Sequence, residues 1–223
     1  MASFAALRDA LDIRFRTASP ETFVQPEETV LATGLPSIDR ALAGGFPKGA
    51  ISTLEGPPTS GRTALAARVL AAATARGGAA ALIESRTDGL VWAPGLEEAG
   101  VVLARLALVR VETPLEVVRA ADILLRSAAF KAIVMPIVAF RAAAWPRLSG
   151  LAHRAGAVLL AAGIEAPSEL RYAAVLRVEC ELARIDWTGA PGPFRALQGY
   201  ELCARTIKHK RATPQQEART AVR

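Results

Sequence analysis

Aromatic residues make up only 5% of this 223-residue chain, although hydrophobic residues make up 52%. The core must therefore be built from Ala, Leu and Val rather than from rings. There are two cysteines, Cys180 and Cys203, each within an apolar, strand-like run. That excludes a disulfide framework and predicts that both pack as small hydrophobes. The two histidines, His153 and His209, are far apart and lack metal-ligand spacing. No uncharged apolar run reaches the ~18 residues of a membrane span. The start, MASFAALRDALDIRF, is interrupted by charge and carries no signal-peptide core. The expectation is a cytoplasmic protein. Lysine is scarce, at 4 of the 27 basic residues. With abundant Ala, this Arg bias reads as coding bias rather than recognition chemistry. Basic residues exceed the 21 acidic ones, giving a net charge of +6. That balance suits nucleic acid or acidic partners, or is simply a solvated basic surface.

What the chain does have is a glycine loop between a strand and a helix. The run AISTLE (Ala50 to Glu55) is apolar, and ALAARVLAAATAR (Ala64 to Arg76) is helical. Between them stands GPPTSGRT: Gly56, Pro57, Pro58, Thr59, Ser60, Gly61, Arg62, Thr63. The spacing G-x-x-x-x-G-basic-Thr is that of a phosphate-binding P-loop. Glycines let backbone N–H groups converge, and the following helix adds the positive end of its dipole. The Thr63 hydroxyl is the candidate Mg²⁺ ligand. Arg62 stands where the motif has lysine, and its planar fork is not a compact ammonium.

Along the chain, residues 3–16 have the spacing of an amphipathic helix, with Phe4, Leu7, Leu11 and Phe15 on one face. A Pro-bearing linker completes a segment 1–30. The helix either folds back onto its domain or docks on a neighbouring subunit. Ser37 or Asp39 can cap a short helix. Strands are predicted over 79–84, 106–111, 132–138 and 157–162. Helices are predicted over 94–99, 114–127 and 147–154. This alternation predicts a parallel sheet covered on both faces. Period-two runs at 175–185 and 195–207 predict antiparallel additions. The core should span 31–210, followed by a polar, disordered tail over 211–223.

The residues Thr33, Gly34, Ile38, Asp39, Leu42, Gly44, Gly45, Pro47, Gly49 and Gly56 carry a resemblance. The run TGLPSIDRALAGGFPKG, then a strand ending at the glycine loop, resembles the start of the RecA-type recombinase core. The resemblance implies an α/β fold: a RecA-like P-loop core, with a mainly parallel sheet flanked by helices and antiparallel C-terminal strands. It implies ATP and Mg²⁺ as ligands. Asp88 and Trp92 fall where the family contacts adenine; otherwise they belong to a surface loop with a packed Trp. Lys208 and Lys210, in RTIKHKRATP, fall where the family's lysines reach the ATP of a neighbouring subunit, which implies a homo-oligomer. Arg141, Arg147 and Arg171, with Tyr172, remain where the family's DNA-binding loops lie, and imply at most weak, salt-sensitive contact with single-stranded DNA.

The acidic positions depart from the family. Arg86 stands at the place of its catalytic glutamate and Pro136 at that of its metal-orienting aspartate. Glu84 either substitutes as the catalytic acid, helps to hold Mg²⁺ through water, or is a solvated strand-end carboxylate. Gly163 stands near the place of the nucleotide-sensing glutamine. The resemblance therefore implies slow, DNA-stimulated ATP hydrolysis at most.

Within that kinship, TPLEVVRAADILLRSAAFKAIVMP (Thr113 to Pro136) resembles the ImuA-type proteins. This implies an accessory protein of translesion synthesis in the SOS response to DNA damage. Its implied partners are RecA, an ImuB-type polymerase relative and an error-prone replicative-type polymerase. Two alternatives stand beside it: an ATPase in its own right, and a RecA mimic that caps or disrupts RecA filaments without nucleotide chemistry.

Overall fold

The computed structural model describes residues 29–86, 91–189, 195–213 and 217–222. The predicted helix over 3–16 and the residue Asp88 lie outside these. In chain order the elements are β1 (Val30–Leu31), α1 (Pro36–Ala41), β2 (Phe46–Pro47), β3 (Ala50–Glu55), α2 (Arg62–Thr74) and β4 (Ala80–Ser85). Then come α3 (Ala93–Glu98), β5 (Leu106–Val111), α4 (Pro114–Ser127), β6 (Ala132–Pro136) and α5 (Ala144–Ala155). The chain ends with β7 (Val158–Gly163), α6 (Ser168–Ala173), β8 (Leu176–Thr188), β9 (Ala196–His209) and β10 (Glu217–Val222).

Eight strands form one sheet in the order β10-β9-β8-β3-β7-β6-β4-β5. The six from β8 to β5 run parallel, and β9 and β10 are antiparallel additions. Side-chain alternation sorts the core into two layers. On β7, Leu159 and Ala161 join α4, α5 and α6 on one face. Val158 and Leu160 join α1, α2 and α3 on the other. Both faces are covered, which is why these strands read as continuous apolar runs.

Local chemistry explains the boundaries. Thr113 and Glu116 close a reciprocal capping box on α4, with Thr113 Oγ1 accepting from the Glu116 N–H at 3.3 Å. Pro114 opens the first turn. Neither Ser37 nor Asp39 caps α1, whose N-cap is Leu35. Asp39 instead reaches back, accepting from the Thr33 N–H and hydroxyl, each at 2.7 Å, and from the Gly34 N–H at 3.1 Å. It pins the turn that leads into the core.

Two further corrections concern the C-terminal part. The tail expected to be disordered contributes β10, which pairs with β9 from Glu217↔Arg205 to Val222↔Tyr200. Backbone hydrogen bonding to an open sheet edge does not require apolar side chains. The segment in which Arg171 and Tyr172 were expected on a DNA-binding loop is instead α6, which buries Leu170. The cysteines behave as expected: both are free and buried. Burial pushes the Cys180 thiol up to about 12, so it is inert at neutral pH.

Candidate nucleotide site

The loop after β3 lies where parallel strands present their carboxyl ends, the usual position for ligands in such sheets. Its geometry is that of an anion cradle. Thr59 (φ 67°) and Gly61 (φ 83°) are in left-handed conformation, and Gly61 is the N-cap of α2. The first intrahelical bond runs from the Leu65 N–H to the Gly61 carbonyl at 3.0 Å. The N–H groups of Gly61, Arg62, Thr63 and Ala64 thus have no partner within the helix. Ser60 Oγ is buried and has no hydrogen-bond partner. Glycine is required at both ends of the loop. A Cβ on Gly56 would stand 2.5 Å from the Cys180 carbonyl oxygen and 2.7 Å from Ser60 Oγ. One on Gly61 would stand 2.7 Å from Leu202 Cδ1. An orphaned hydroxyl, unpaired N–H groups and a 13-residue helix behind them fit a polyphosphate.

Arg62 is turned onto the loop itself, where its guanidinium donates to the Gly56 carbonyl. Two cavities flank it. One of about 990 Å³ is lined by Arg62, Thr63, Glu84, Trp92, Pro136 and Tyr200, among others. The other, of about 380 Å³, lies between Thr59–Ala64 and the β8–β9 hairpin.

The acidic candidate is already engaged. Glu84, at the end of β4, is buried; one oxygen accepts from Arg110 Nε at 3.0 Å and the other from the Val91 N–H. It fastens β5 and the segment before α3 to the sheet. Arg86 is turned away to Glu112, at 3.3 Å. Pro136 ends β6 inside the larger cavity. Gly163 closes β7, where a Cβ would stand 2.7 Å from Ile137 Cβ. Among the described residues no group of three or more His, Cys, Asp or Glu could hold a metal. A Mg²⁺ ion would have Thr63 and the phosphates themselves as ligands.

The remaining candidates are dispersed. Trp92 is 66% exposed and packs against Gly95 on the rim of the larger cavity. Lys208 and Lys210 line neither cavity. They cap the carboxyl end of α6, donating to the Arg171 and Tyr172 carbonyls, each at 2.6 Å. Lys210 also lies 5.3 Å over the Tyr172 ring. Burial, with Lys210 and Arg177 nearby, pushes the Lys208 pKa down. Arg147 pairs with Asp122 on α4 at 2.7 Å. Arg171 donates to the Ala166 carbonyl at 2.6 Å and pairs with Glu165. Arg141 is exposed on the loop after β6. Arg147 and Arg171 are thus each paired with an acidic side chain.

Sequence reasoning missed the ion pair beneath the loop. Arg177 Nε and Nη2 meet Glu55 Oε1 and Oε2 at 2.9 and 3.1 Å, with both side chains largely buried. Glu55 also accepts from Thr53 Oγ1 at 2.8 Å and the Ala166 N–H at 3.0 Å. The only signal was a carboxylate ending an otherwise buried strand.

The description of the RecA N-terminal domain matches residues 21–148, more than half of the chain. The chain belongs to the RecA family. RecA of Bifidobacterium longum (strain NCC 2705) is 36% identical over 118 residues, covering 52% of this chain and 29% of that protein. RecA of Gluconobacter oxydans (strain 621H) is 36% identical over 115 residues, covering 51% and 32%. The chain thus spans under a third of the length of these curated RecA relatives. The crystal structure of the RadB recombinase shares the fold, with a TM-score of 0.65, 20% identity, and coverage of 85% of this chain and 94% of that one. Among the described residues no helix is long and apolar enough to cross a membrane.

Proposed function

We propose that this RecA-family chain is a cytoplasmic accessory protein of bacterial DNA-damage-induced mutagenesis. It serves translesion synthesis together with RecA, an ImuB-type polymerase relative and an error-prone replicative-type polymerase. It binds ATP and hydrolyses it slowly at most. The observation that carries this reading is a cradle that retains its backbone while both acidic positions have lost their chemistry. Arg86 is tied to Glu112, and Pro136 offers no carboxylate. Such a site holds a nucleotide as a structural or signalling ligand rather than as fuel. Resemblance of Thr113 to Pro136 to ImuA-type proteins supports the pathway. Lys208 and Lys210, displaced from their own cradle, suit a nucleotide shared with a second copy. Single-stranded DNA is a weak ligand, bound through Arg141 on its exposed loop.

The test is Mg-ATP binding and phosphate release by the pure protein, with and without single-stranded DNA. Binding is expected with turnover far below the ~1 s⁻¹ of an ordinary enzyme. Arg62→Ala should weaken binding about tenfold to a hundredfold, the worth of one charge-assisted hydrogen bond. Turnover at enzymatic rates would sink the accessory reading. An unchanged frequency of damage-induced mutation in cells lacking the protein would remove the pathway. Shortened RecA filaments on adding the nucleotide-free protein would favour a filament-capping role instead.

A further inference from the structure

The end of the sheet opposite the cradle is a positive pole. The parallel strands enter there and β9 leaves there. Arg105 precedes β5, Lys131 precedes β6, and Arg154 lies in the last turn of α5, before β7. Lys48 precedes β3, and Lys210 and Arg211 follow β9. Contacts join these positions into one row. Arg105 donates to the Gly77 carbonyl before β4. The Lys131 N–H donates to the Ala79 carbonyl at 2.8 Å, and the Lys131 carbonyl accepts from the Val158 N–H at 2.9 Å. The Gly49 N–H donates to the Ala157 carbonyl at 3.0 Å, and Arg211 donates to the Lys48 carbonyl at 3.0 Å. From β9 to β5 the sheet order makes six steps, so at ~4.8 Å each the row is about 29 Å long. The segments 48–49, 77–79, 103–105, 128–131, 153–157, 174–175 and 209–213 contain no Asp or Glu. Among the described residues Arg105, Lys131, Arg154, Lys210 and Arg211 take part in no ion pair, whereas arginines on the hairpin, β10 and α4 do. Of the chain's 27 basic residues these six leave 21, equal to its 21 acidic ones. The net charge of +6 thus equals the charge of this row. Three of the four lysines stand in it, and the fourth, Lys208, is two residues from Lys210. Coding bias toward Arg does not account for that placement.

We infer that this row is a second nucleic-acid site, which takes the sugar–phosphate backbone of a DNA duplex. It stands apart from the cradle and from Arg141, whose loop after β6 is at the other end of the sheet. A duplex rises ~3.4 Å per base pair, so the row faces about eight base pairs. Single strands are held by successive aromatic platforms. Among the described residues the row offers one exposed ring, Tyr172, and Lys210 already lies over it. Phe130 is buried. Fixed charges without a base-reading surface suit backbone contact with no sequence preference. Bound there, the chain keeps its cradle end free, because the two sites lie at opposite ends of β3.

The test measures binding of a duplex of about 20 base pairs, and of one of its strands, to the full chain without nucleotide or Mg²⁺. The duplex should bind more tightly than the strand. Its log affinity should fall against log salt with a slope of about −4, as for four or five neutralised phosphates. Lys131→Gln with Arg154→Gln, both at exposed positions, should weaken the duplex about fiftyfold at about 0.1 M salt. The slope should fall by about two, since each phosphate contact carries ~0.9 of it. A matched pair elsewhere, Arg184→Gln with Arg219→Gln, removes the same charge from exposed positions. It should change affinity by less than about threefold, because salt screens charges beyond a Debye length. Equal losses in both pairs would reduce the effect to bulk charge and overturn the site. A duplex that fails to bind at about 50 mM salt overturns it too. Poly-glutamate of matched charge that competes as well as DNA would make the row a site for acidic proteins and overturn the nucleic-acid assignment. A strand bound as tightly as the duplex, and equally weakened by Lys131→Gln with Arg154→Gln, overturns the duplex assignment.

Discussion

Arg177→Met is expected to destabilise the protein by about 3–5 kcal/mol, the cost of stranding one member of a buried ion pair. The stranded group is Glu55. It ends β3 directly before the cradle, and its side chain is only 6% exposed. Arg177 supplies two of its four hydrogen bonds. The other two, from Thr53 and the Ala166 N–H, leave a bare charge in a low-dielectric site. Urea denaturation would show the loss. Adding Glu55→Gln to the variant should recover much of it, because the buried charge is then gone. A change within ~0.5 kcal/mol would place this pair among ordinary surface contacts.

The pH dependence carries a sign that separates this account from lost packing. In the unaltered protein, burial pushes the Glu55 pKa up, but hydrogen bonds from Arg177, Ala166 and Thr53 outweigh it and hold it below the ordinary 4.5. Its contribution is therefore present above that value and lost as pH falls through the folded pKa. Without Arg177 the largest influence left is burial, so the folded pKa should rise above the ordinary value. The variant should then gain relative stability in acid and lose it as pH rises. The gap between the two proteins should widen from acid to neutral pH. A packing defect alone would give a constant gap.

The parts of the fold that were legible in the sequence are those specified locally. α4 was read at its observed limits because Pro114 opens its first turn and apolar residues recur at helical spacing; the Thr113–Glu116 capping box then fixes that start. β5 was read at its limits because it is a short apolar run between turn signals. β10 was not, because a polar strand is defined by the edge it joins. The glycine loop was legible from spacing alone, since each glycine answers a local steric need. The state of its neighbours was not. Glu84 is committed to Arg110, and Glu55 to Arg177, by strand order rather than by anything near them in sequence. Arg62 bonding to its own loop is likewise a geometric fact. Motif spacing identifies a site's frame, while the engagement of its charges is decided by distant segments.

Pro136→Asp is expected to raise Mg²⁺-dependent triphosphate hydrolysis about a hundredfold, the usual worth of one preorganised electrostatic contact in such a site. The substitution should be tolerated by the backbone. The Ile137 N–H donates to the Ala162 carbonyl of β7 at 2.9 Å. Alternation along a strand then turns the nitrogen of residue 136 toward β4. There the β6–β4 ladder has already ended, at Leu82↔Val134. An aspartate therefore forfeits no existing bond, and its carboxylate enters the cavity that also holds Thr63. If Thr63 and the phosphates alone hold the cation, that carboxylate supplies the missing anionic partner. Thr63→Ala in the same background should cancel the gain, which distinguishes it from a contaminating ATPase. A flat rate, with nucleotide still bound, would show that turnover is limited elsewhere. Arg86, where the resemblance puts the family's catalytic glutamate, would then be the next position to test.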